Sequence, residues 1–198
     1  MRGSRLLLEI VASLVAMIAW IVVTSEASQF ETASLVVRWT ARTSLVMFVL
    51  AYVARPAVQL WRNPFTKHLL AERKWIGLGF AASHAFHLGG IVVLASPDFA
   101  GFLRAQPPTN AIAALTFLLV FAMAFTSIDS VKQRMSARAW KLLHRTGMHF
   151  AWLSFTATYT AGIAEKPWFA GPAAVLWAIA AIRVAAWVRM RRRVPATA

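Results

Sequence analysis

The sequence predicts an all-α membrane protein, a bundle of six transmembrane helices with both termini in the cytoplasm. Composition is the first observation: 59% of the 198 residues are hydrophobic and 14% are charged, which is more apolar than a soluble domain requires. Apolar runs of spanning length also recur along the chain. Basic residues cluster in alternate loops between these runs, which is the positive-inside arrangement. We therefore expect residues 1–198 to form a single transmembrane domain, multi-pass in a cell's inner membrane.

The first helix sets the orientation of the others. Arg2 and Arg5 precede its apolar run and place the N-terminus in the cytoplasm. A cleaved signal peptide is the alternative, because TSEAS after the run loosely resembles a cleavage site. Glu9 within the run, and the need for an even number of spans, favour a retained helix. We place the six helices roughly at residues 6–23, 39–54, 75–94, 110–128, 138–162 and 168–188.

The loops alternate in charge along the chain. Residues 24–38 are polar, with no basic residue before Arg38, and are expected to be external. Residues 55–74 are basic and contain the helix breakers Pro56 and Pro64, so they are expected to form a cytoplasmic loop. Residues 95–109 have Arg104 as their one basic residue and are external, whereas 129–141 are basic and cytoplasmic. A short outer turn at 165–167 precedes the sixth helix, and a basic tail ends the chain inside: Arg189, Arg191, Arg192 and Arg193.

Several classes of function are excluded by composition. The net charge of +14 could suggest a nucleic-acid partner, but the charges lie between apolar runs, so we predict the lipid bilayer as partner and no nucleic acid. The absence of cysteine excludes disulfides, thiol chemistry and cysteine-ligated clusters. Neither a G-x-G-x-x-G fingerprint nor a phosphate-binding loop occurs, so no flavin or NAD domain is visible in this chain. Any electrons would come from a partner.

Four histidines lie within predicted spans: His84 and His87 in the third, His144 and His149 in the fifth. An intramembrane histidine is a functional-site hypothesis by default, and neutral imidazole is a common ligand of heme iron. At a rise of ~1.5 Å per residue the four lie at overlapping depths of ~10–20 Å. The pattern therefore favours a b-type heme held between one imidazole of each helix. Interhelical hydrogen bonding, a zinc site and a proton relay are the alternatives.

Arg42 is the remaining candidate site residue. It lies about one turn inside the second predicted helix, near its outer end. One interpretation is an arginine that extends to the outer interface while its stem lies along apolar surface. The other is a cation that pairs with a heme propionate.

Three segments of the sequence resemble a known family. The segment TSIDSVKQRMSARAWKLLHR resembles the TS…LG..W..LHR motif of the ferric-reductase-like transmembrane domain, and RKWIGLGFAASHAFH resembles its RR.LGL.AF.Y..LH motif. LAYVARP is similar to the end of the family's second helix. The resemblance covers roughly residues 35 to 165, with the motifs in order and at matching spacing. Within the family, the pattern is similar to that of the heme-binding membrane subunit of the periplasmic methionine sulfoxide reductase system.

The resemblance implies a six-helix bundle that binds b-type heme between its third and fifth helices and carries electrons across the membrane. It matches His87 to the third-helix ligand and His144 to the LHR histidine. Two positions depart from the pattern: the family's second fifth-helix histidine is Ala157 here, and the further histidine of two-heme members is Arg73. His149 is then a candidate substitute, as is His84.

Two functions are open at this point. The first is an electron-transfer protein that passes electrons from a quinol or flavoprotein donor to an acceptor on the outer face, working as an oxidoreductase subunit with a partner. The second is a heme-free scaffold or partner-binding subunit of the same fold, which the residues at Arg73 and Ala157 support.

Overall fold

Helices make up almost all of the structure. The computed structural model describes residues 2–106 and 110–192, and no strand occurs within those ranges. Pro107 and Pro108 of the predicted external loop, and Arg193 of the tail, lie outside them. The elements in chain order are α1 Arg2–Thr24, α2 Gln29–Leu60, α3 Pro64–Ala95, α4 Phe99–Ala105, α5 Asn110–Phe125, α6 Asp129–Lys132, α7 Ala137–Ala161, a 3₁₀ turn Pro167–Phe169 and α8 Ala170–Arg192.

Several of these helices are long and apolar enough to cross a bilayer. Within the described residues four helical stretches qualify by length and composition, namely Gly3–Thr24, Gln29–Leu60, Pro64–Ala95 and Pro167–Arg192. The bent pair α4 and α5 makes a fifth if the two helices form one span. The prediction of an all-helical, multi-pass membrane protein is confirmed, while six spans with cytoplasmic termini stays a prediction.

Helix α2 begins ten residues before the predicted start at residue 39. Its first turn is a capping box: the Ser28 hydroxyl accepts from the Glu31 backbone N–H at 3.3 Å, and the Glu31 carboxylate accepts from the Ser28 N–H at 3.0 Å. This reciprocal pair satisfies two donors that a helix N-terminus leaves open. Most of the segment expected to be an external loop is therefore the start of a helix.

Helix α3 also begins earlier than expected, at Pro64 rather than residue 75. Asn63 caps it by accepting from the Thr66 backbone N–H at 2.9 Å, and Pro64 takes the first helical position, where its missing N–H costs nothing. The connection from α2 is only three residues long, 61–63. The expected cytoplasmic loop 55–74 is therefore mostly helical, and its basic residues other than Arg62 lie on α2 or α3.

Pro56 lies inside α2, buried, instead of ending it. A proline has no N–H, so the carbonyl four residues earlier, that of Tyr52, loses its helical donor. Arg183 of α8 donates to that carbonyl through Nη1 at 3.3 Å, and Arg73 of α3 donates through Nε to the neighbouring Ala51 carbonyl at 2.9 Å. Neighbouring helices thus supply donors where a proline interrupts a membrane helix.

The core lies between α2 and its neighbours. Helices α2 and α3 pack along each other, α8 packs on α2 and α7, α5 packs on α7, and α1 packs on α3. Phe48, Phe80, Val120 and Leu176 are almost completely buried at these contacts. Small residues permit close approach, as membrane helix pairs require: a Cβ on Gly90 would lie 2.7 Å from Val37 Cγ2 of α2.

Candidate functional site

His87 of α3 is held by the backbone of α2. Its Nδ1 lies 3.0 Å from the Val37 carbonyl oxygen and 3.3 Å from the Thr40 hydroxyl. A carbonyl oxygen only accepts, so we assign the proton to Nδ1 and the lone pair to Nε2. The ring is nearly parallel to that of Phe117 on α5, with centroids 5.9 Å apart and an interplanar angle of 14°. His87 is therefore oriented from one side, with Nε2 unprotonated.

A chain of hydroxyl groups links α2 to α3 beside this histidine. We call Thr40, Thr43, Ser44 and Ser83 the polar seam. Ser83 is completely buried and donates to the Thr40 carbonyl at 2.9 Å. Its hydroxyl also lies 2.7 Å from that of Thr43 and 3.0 Å from that of Ser44. Hydroxyls across membrane helices act as specific contacts, so the seam sets the register in which His87 meets Val37.

His84 lies one turn earlier on α3 and is 7% exposed. Its Nδ1 is buried and has no hydrogen-bond partner among the described residues. The ring lies 4.6 Å from that of Phe117, 4.9 Å from that of Phe80 and 5.9 Å from that of His87, measured between centroids. An unsatisfied polar atom in such an apolar setting is uncommon and calls for an explanation.

His144 of α7 contacts Thr126, the residue just after α5, and Trp140 of its own helix. Its Nε2 lies 3.2 Å from the Thr126 hydroxyl, which itself donates to the Ala122 carbonyl at 2.7 Å. Because a hydroxyl has one proton, Thr126 accepts, and the His144 proton is on Nε2. The ring stacks on Trp140 with centroids 4.0 Å apart.

His149 lies near Tyr52 of α2. Its Nδ1 is 3.1 Å from the Tyr52 hydroxyl, and the two rings meet edge to face at 5.9 Å. The guanidinium of Arg183 covers the Tyr52 ring at 4.5 Å. His149 therefore belongs to a group of three residues from α2, α7 and α8, in which His149 is exposed and Tyr52 is buried.

The structure brings His84 and His87 together and does not bring either into contact with His144 or His149. No hydrogen bond or ring contact joins the two pairs within the described residues. Phenylalanines from α2, α3 and α7 lie beside the α3 pair instead: Phe155 is 6.0 Å from His84, 5.3 Å from Phe48 and 6.2 Å from Phe80. A heme held between two helices needs an imidazole on each side of the iron. Helix α3 supplies an imidazole on its side, whereas α7 presents the ring of Phe155 beside His84.

Other metal chemistry finds no support in the described part of the chain. No group of three or more His, Cys, Asp or Glu side chains there is placed to hold a metal ion. The zinc alternative needs three or four such ligands, so nothing in the geometry favours it.

Arg42 lies between two tryptophans. Its guanidinium carbon is 4.8 Å from the Trp39 ring and 4.9 Å from that of Trp168 in the 3₁₀ turn. The two ion pairs among the described residues, Arg5–Glu9 and Lys74–Asp129, do not involve it. Tryptophans of this kind mark membrane interfaces, where arginine stacks well on their faces. The contacts fit the interpretation of an interfacial arginine.

A large cavity lies at the end of the bundle where α2 ends and α3 begins. It has a volume of about 1030 Å³, and its lining includes His144 and Pro56. Eight cationic side chains line it, contributed by α2, α3, α6, α7 and α8, and no carboxylate does: Arg55, Arg73, Lys74, Lys132, Arg138, Lys141, Arg145 and Arg183. We call this space the basic cavity.

The basic cavity is not visible in the sequence, because most of its cations belong to separate predicted loops. Their convergence depends on how five helices pack. One signal was present in the sequence: Arg183 is an isolated cation inside the apolar run of α8, and intramembrane charges usually mark a site. Its partner, the Tyr52 carbonyl, could be inferred only by relating Pro56 to a second helix.

The rim of the basic cavity carries the one ion pair near it. Lys74 Nζ lies 2.9 Å from Asp129 Oδ1, and both side chains are substantially exposed. The hydrogen bond and charge of Lys74 hold the pKa of the Asp129 carboxyl below its ordinary value of 3.8. Glu72 Oε2 is buried without a hydrogen-bond partner in the described residues, and Glu72 does not line the cavity.

Comparison with known proteins identifies one family. Residues 38–158 match the model of the ferric reductase like transmembrane component, which is more than half of the chain. No curated protein and no solved structure matches this chain. The matched range begins within α2 and ends near the end of α7, so it contains the four histidines His84, His87, His144 and His149.

Proposed function

Since this chain belongs to the ferric reductase-like transmembrane family, we propose that it is a membrane electron-transfer subunit that binds b-type heme. It would pass electrons from a quinol or a flavoprotein donor to an acceptor on the outer face, as an oxidoreductase subunit that needs a partner. The observation that supports this best is the state of His87, whose Nδ1–H is used on the Val37 carbonyl, so that Nε2 is left for an iron.

The surroundings of His87 suit an axial ligand. Histidine ligands almost always donate their other ring N–H to a carbonyl or carboxylate, which fixes the tautomer and raises the basicity of the ligating nitrogen. The polar seam holds the Val37 side of this contact in place. Phe80 and Phe117 surround the neighbouring His84 ring and exclude water. A bound heme would supply one-electron chemistry, with its potential set by ligation and burial.

The remaining candidates take secondary places in the proposal. His84, with an unsatisfied Nδ1, is the alternative ligand on α3. On α7, His144 uses its Nε2 on the Thr126 hydroxyl and would have to exchange that partner to ligate through Nε2. His149 uses its Nδ1 on the Tyr52 hydroxyl, which leaves Nε2 for an iron, but its ring lies beside Tyr52 and not beside His87 or His84. Arg42 would have to leave its tryptophan faces to reach a propionate.

A second candidate function is a heme-free scaffold or partner-binding subunit of the same fold. The observation that favours it is the position of Phe155 beside His84, where a second imidazole would be needed. The family positions now occupied by Arg73 and Ala157 point the same way. In that case the histidines serve as hydrogen-bonding contacts between helices.

The reduced-minus-oxidised absorption spectrum separates the two functions. We expect protein purified from heme-replete cells to show b-type Soret and α bands, and His87→Ala to lose them. His68→Ala is the matched control, because His68 is exposed near the start of α3. Colourless wild-type protein with full helical content would refute the heme proposal and favour the scaffold. Bands of equal strength in His87→Ala would refute the assignment of His87.

The proposal also includes six spans with both termini in the cytoplasm. The chain has no cysteine, so a single introduced cysteine is the only thiol. We expect Gln133→Cys to react with a membrane-impermeant maleimide only after the membrane is opened, and Lys166→Cys to react from outside. Labelling of both positions from the same side would contradict the six-span arrangement.

A further inference from the structure

The charged side chains that line the basic cavity are positively charged, and none of them is negatively charged. Its eight cations come from five helices, and no carboxylate lines the same space. Like charges brought together in a partly enclosed, low-dielectric space repel one another. Lys74 is paired with Asp129 at the rim, whereas Arg73 and Arg183 are partly buried without a carboxylate partner, so an anion from outside the chain would relieve this repulsion.

The two partly buried cations of the cavity, Arg73 and Arg183, are held in place but retain unused hydrogen-bond donors. Arg73 uses Nε on the Ala51 carbonyl, and its two terminal nitrogens have no protein hydrogen-bond partner in the described residues. Arg183 uses Nη1 on the carbonyl that Pro56 leaves open. Both guanidinium groups are anchored by one bond each, with further donors unused. Guanidinium groups in this state bind phosphate or carboxylate oxygens bidentately.

The floor of the cavity is apolar. Phe80, Val120, Met123 and Met148 are all buried core residues and also line this space. A freely soluble anion gains nothing from such a surface. A molecule with a charged head and a hydrocarbon part can use both the cations and the floor.

One wall opens towards the membrane. Trp187 and Met190 of α8 line the cavity, yet they are 54% and 41% exposed, so they also lie on the outer surface of a candidate span. Leu142 of α7 is 53% exposed and lines the cavity as well. A hydrocarbon chain can therefore leave the cavity between α7 and α8 without entering water.

We propose that the basic cavity binds the phosphate headgroup of an anionic phospholipid, with Arg73, Arg145 and Arg183 as its ligands and the acyl chains extending past Trp187. Basic pockets between membrane helices recognise anionic headgroups by this combination of charge and apolar wall. The site is independent of whether heme binds at His87. Its occupant places a negative charge among these three arginines.

Lipid retention and stabilisation test this directly. Wild-type protein is purified in a mild detergent, and native mass spectrometry identifies the lipids that stay bound. The same protein is then reconstituted in phosphatidylcholine nanodiscs with increasing phosphatidylglycerol, and its thermal unfolding is followed. We expect one or two anionic lipids to be retained over neutral ones, and the unfolding temperature to rise and saturate with phosphatidylglycerol.

Two charge-matched double variants locate the site. Arg73→Gln with Arg145→Gln removes two cavity cations, and Arg62→Gln with Arg134→Gln removes two exposed cations that do not line the cavity. We expect apparent affinity for phosphatidylglycerol to fall roughly tenfold or more in the first and to change less than about twofold in the second. If the first variant does not fold, Arg145→Gln alone is used, because the side chain of Arg145 makes no hydrogen bond or ion pair with any residue in 2–106 or 110–192.

Three results would overturn the proposal. Equal losses in the two double variants would show a general surface effect. Stabilisation by glycerol phosphate at concentrations matching those of the lipid would identify a soluble phosphate ester as the ligand. A heme spectrum that is lost in Arg73→Gln with Arg145→Gln, while lipid retention is unchanged, would assign the cavity to heme propionates instead.

Discussion

Replacing Ser83 by alanine should weaken the contact between α2 and α3 more than any other single hydroxyl deletion in the polar seam. Ser83 is completely buried and makes three contacts to α2, at 2.9 Å to the Thr40 carbonyl, 2.7 Å to Thr43 and 3.0 Å to Ser44. Interhelical hydrogen bonds in membranes contribute about 0.6 kcal/mol each on average. Three lost bonds therefore predict a loss of about 2 kcal/mol.

The assay is equilibrium unfolding in mixed micelles with increasing dodecyl sulfate, followed by helical circular dichroism. Ser13→Ala is the matched control, because its hydroxyl donates only to the Glu9 carbonyl of the same helix, in an exposed position. That change should alter the free energy of unfolding by less than about 0.5 kcal/mol. The reasoning fails if Ser83→Ala is as stable as Ser13→Ala, because the seam would then contribute nothing to helix pairing.

Two further predictions concern packing and charge. Gly90→Ala places a Cβ 2.7 Å from Val37 and should destabilise the protein by about 1–3 kcal/mol. A Cβ at Gly89 meets nothing within 4 Å, so Gly89→Ala should be neutral or stabilising by up to about 1 kcal/mol. The same micelle assay compares the two variants, and equal effects would contradict the close approach of α2 and α3 at Gly90. The pKa of Asp129 lies below 3.8 because of Lys74, so the stabilisation is present above that pH and is lost as the pH falls through the folded-state pKa. Between pH 6 and the folded-state pKa of Asp129, the wild-type protein should unfold at a slightly higher temperature than Asp129→Asn, and this difference should vanish at lower pH. A difference that persists in acid would rule out the ion pair as its source.

The sequence predicted the class of protein and its family correctly, because both depend on features that add up along the chain. Apolar content and spanning runs do not require knowledge of which helices touch. The motifs around His87 and His144 resemble the family whose model matches residues 38–158. The start of α2 was less visible, although Ser28 and Glu31 form a readable capping box, because polar residues in a first turn look like a loop when hydropathy alone is weighed.

The relation between the histidine pairs could not be read from spacing. Equal depth along two helices was sufficient reason to expect His84 and His87 to face His144 and His149. For the histidine rings to face each other, each helix must also have the right rotation about its axis, and contacts with other residues set that rotation. The rings of His144 and His149 are hydrogen-bonded to Thr126 and Tyr52, and Phe155 lies beside His84 in their place.

Taken by itself, the sequence determined that this is a helical membrane protein and which helices contain imidazoles and cations, because hydropathy and residue identity are properties of single segments. Only the tertiary structure decided that Pro56 opens a carbonyl for Arg183, that the α3 histidines lie among phenylalanines, and that eight cations converge on one cavity. Each of these depends on the packing of several helices at once. Side-chain direction follows from that packing and not from position along the chain.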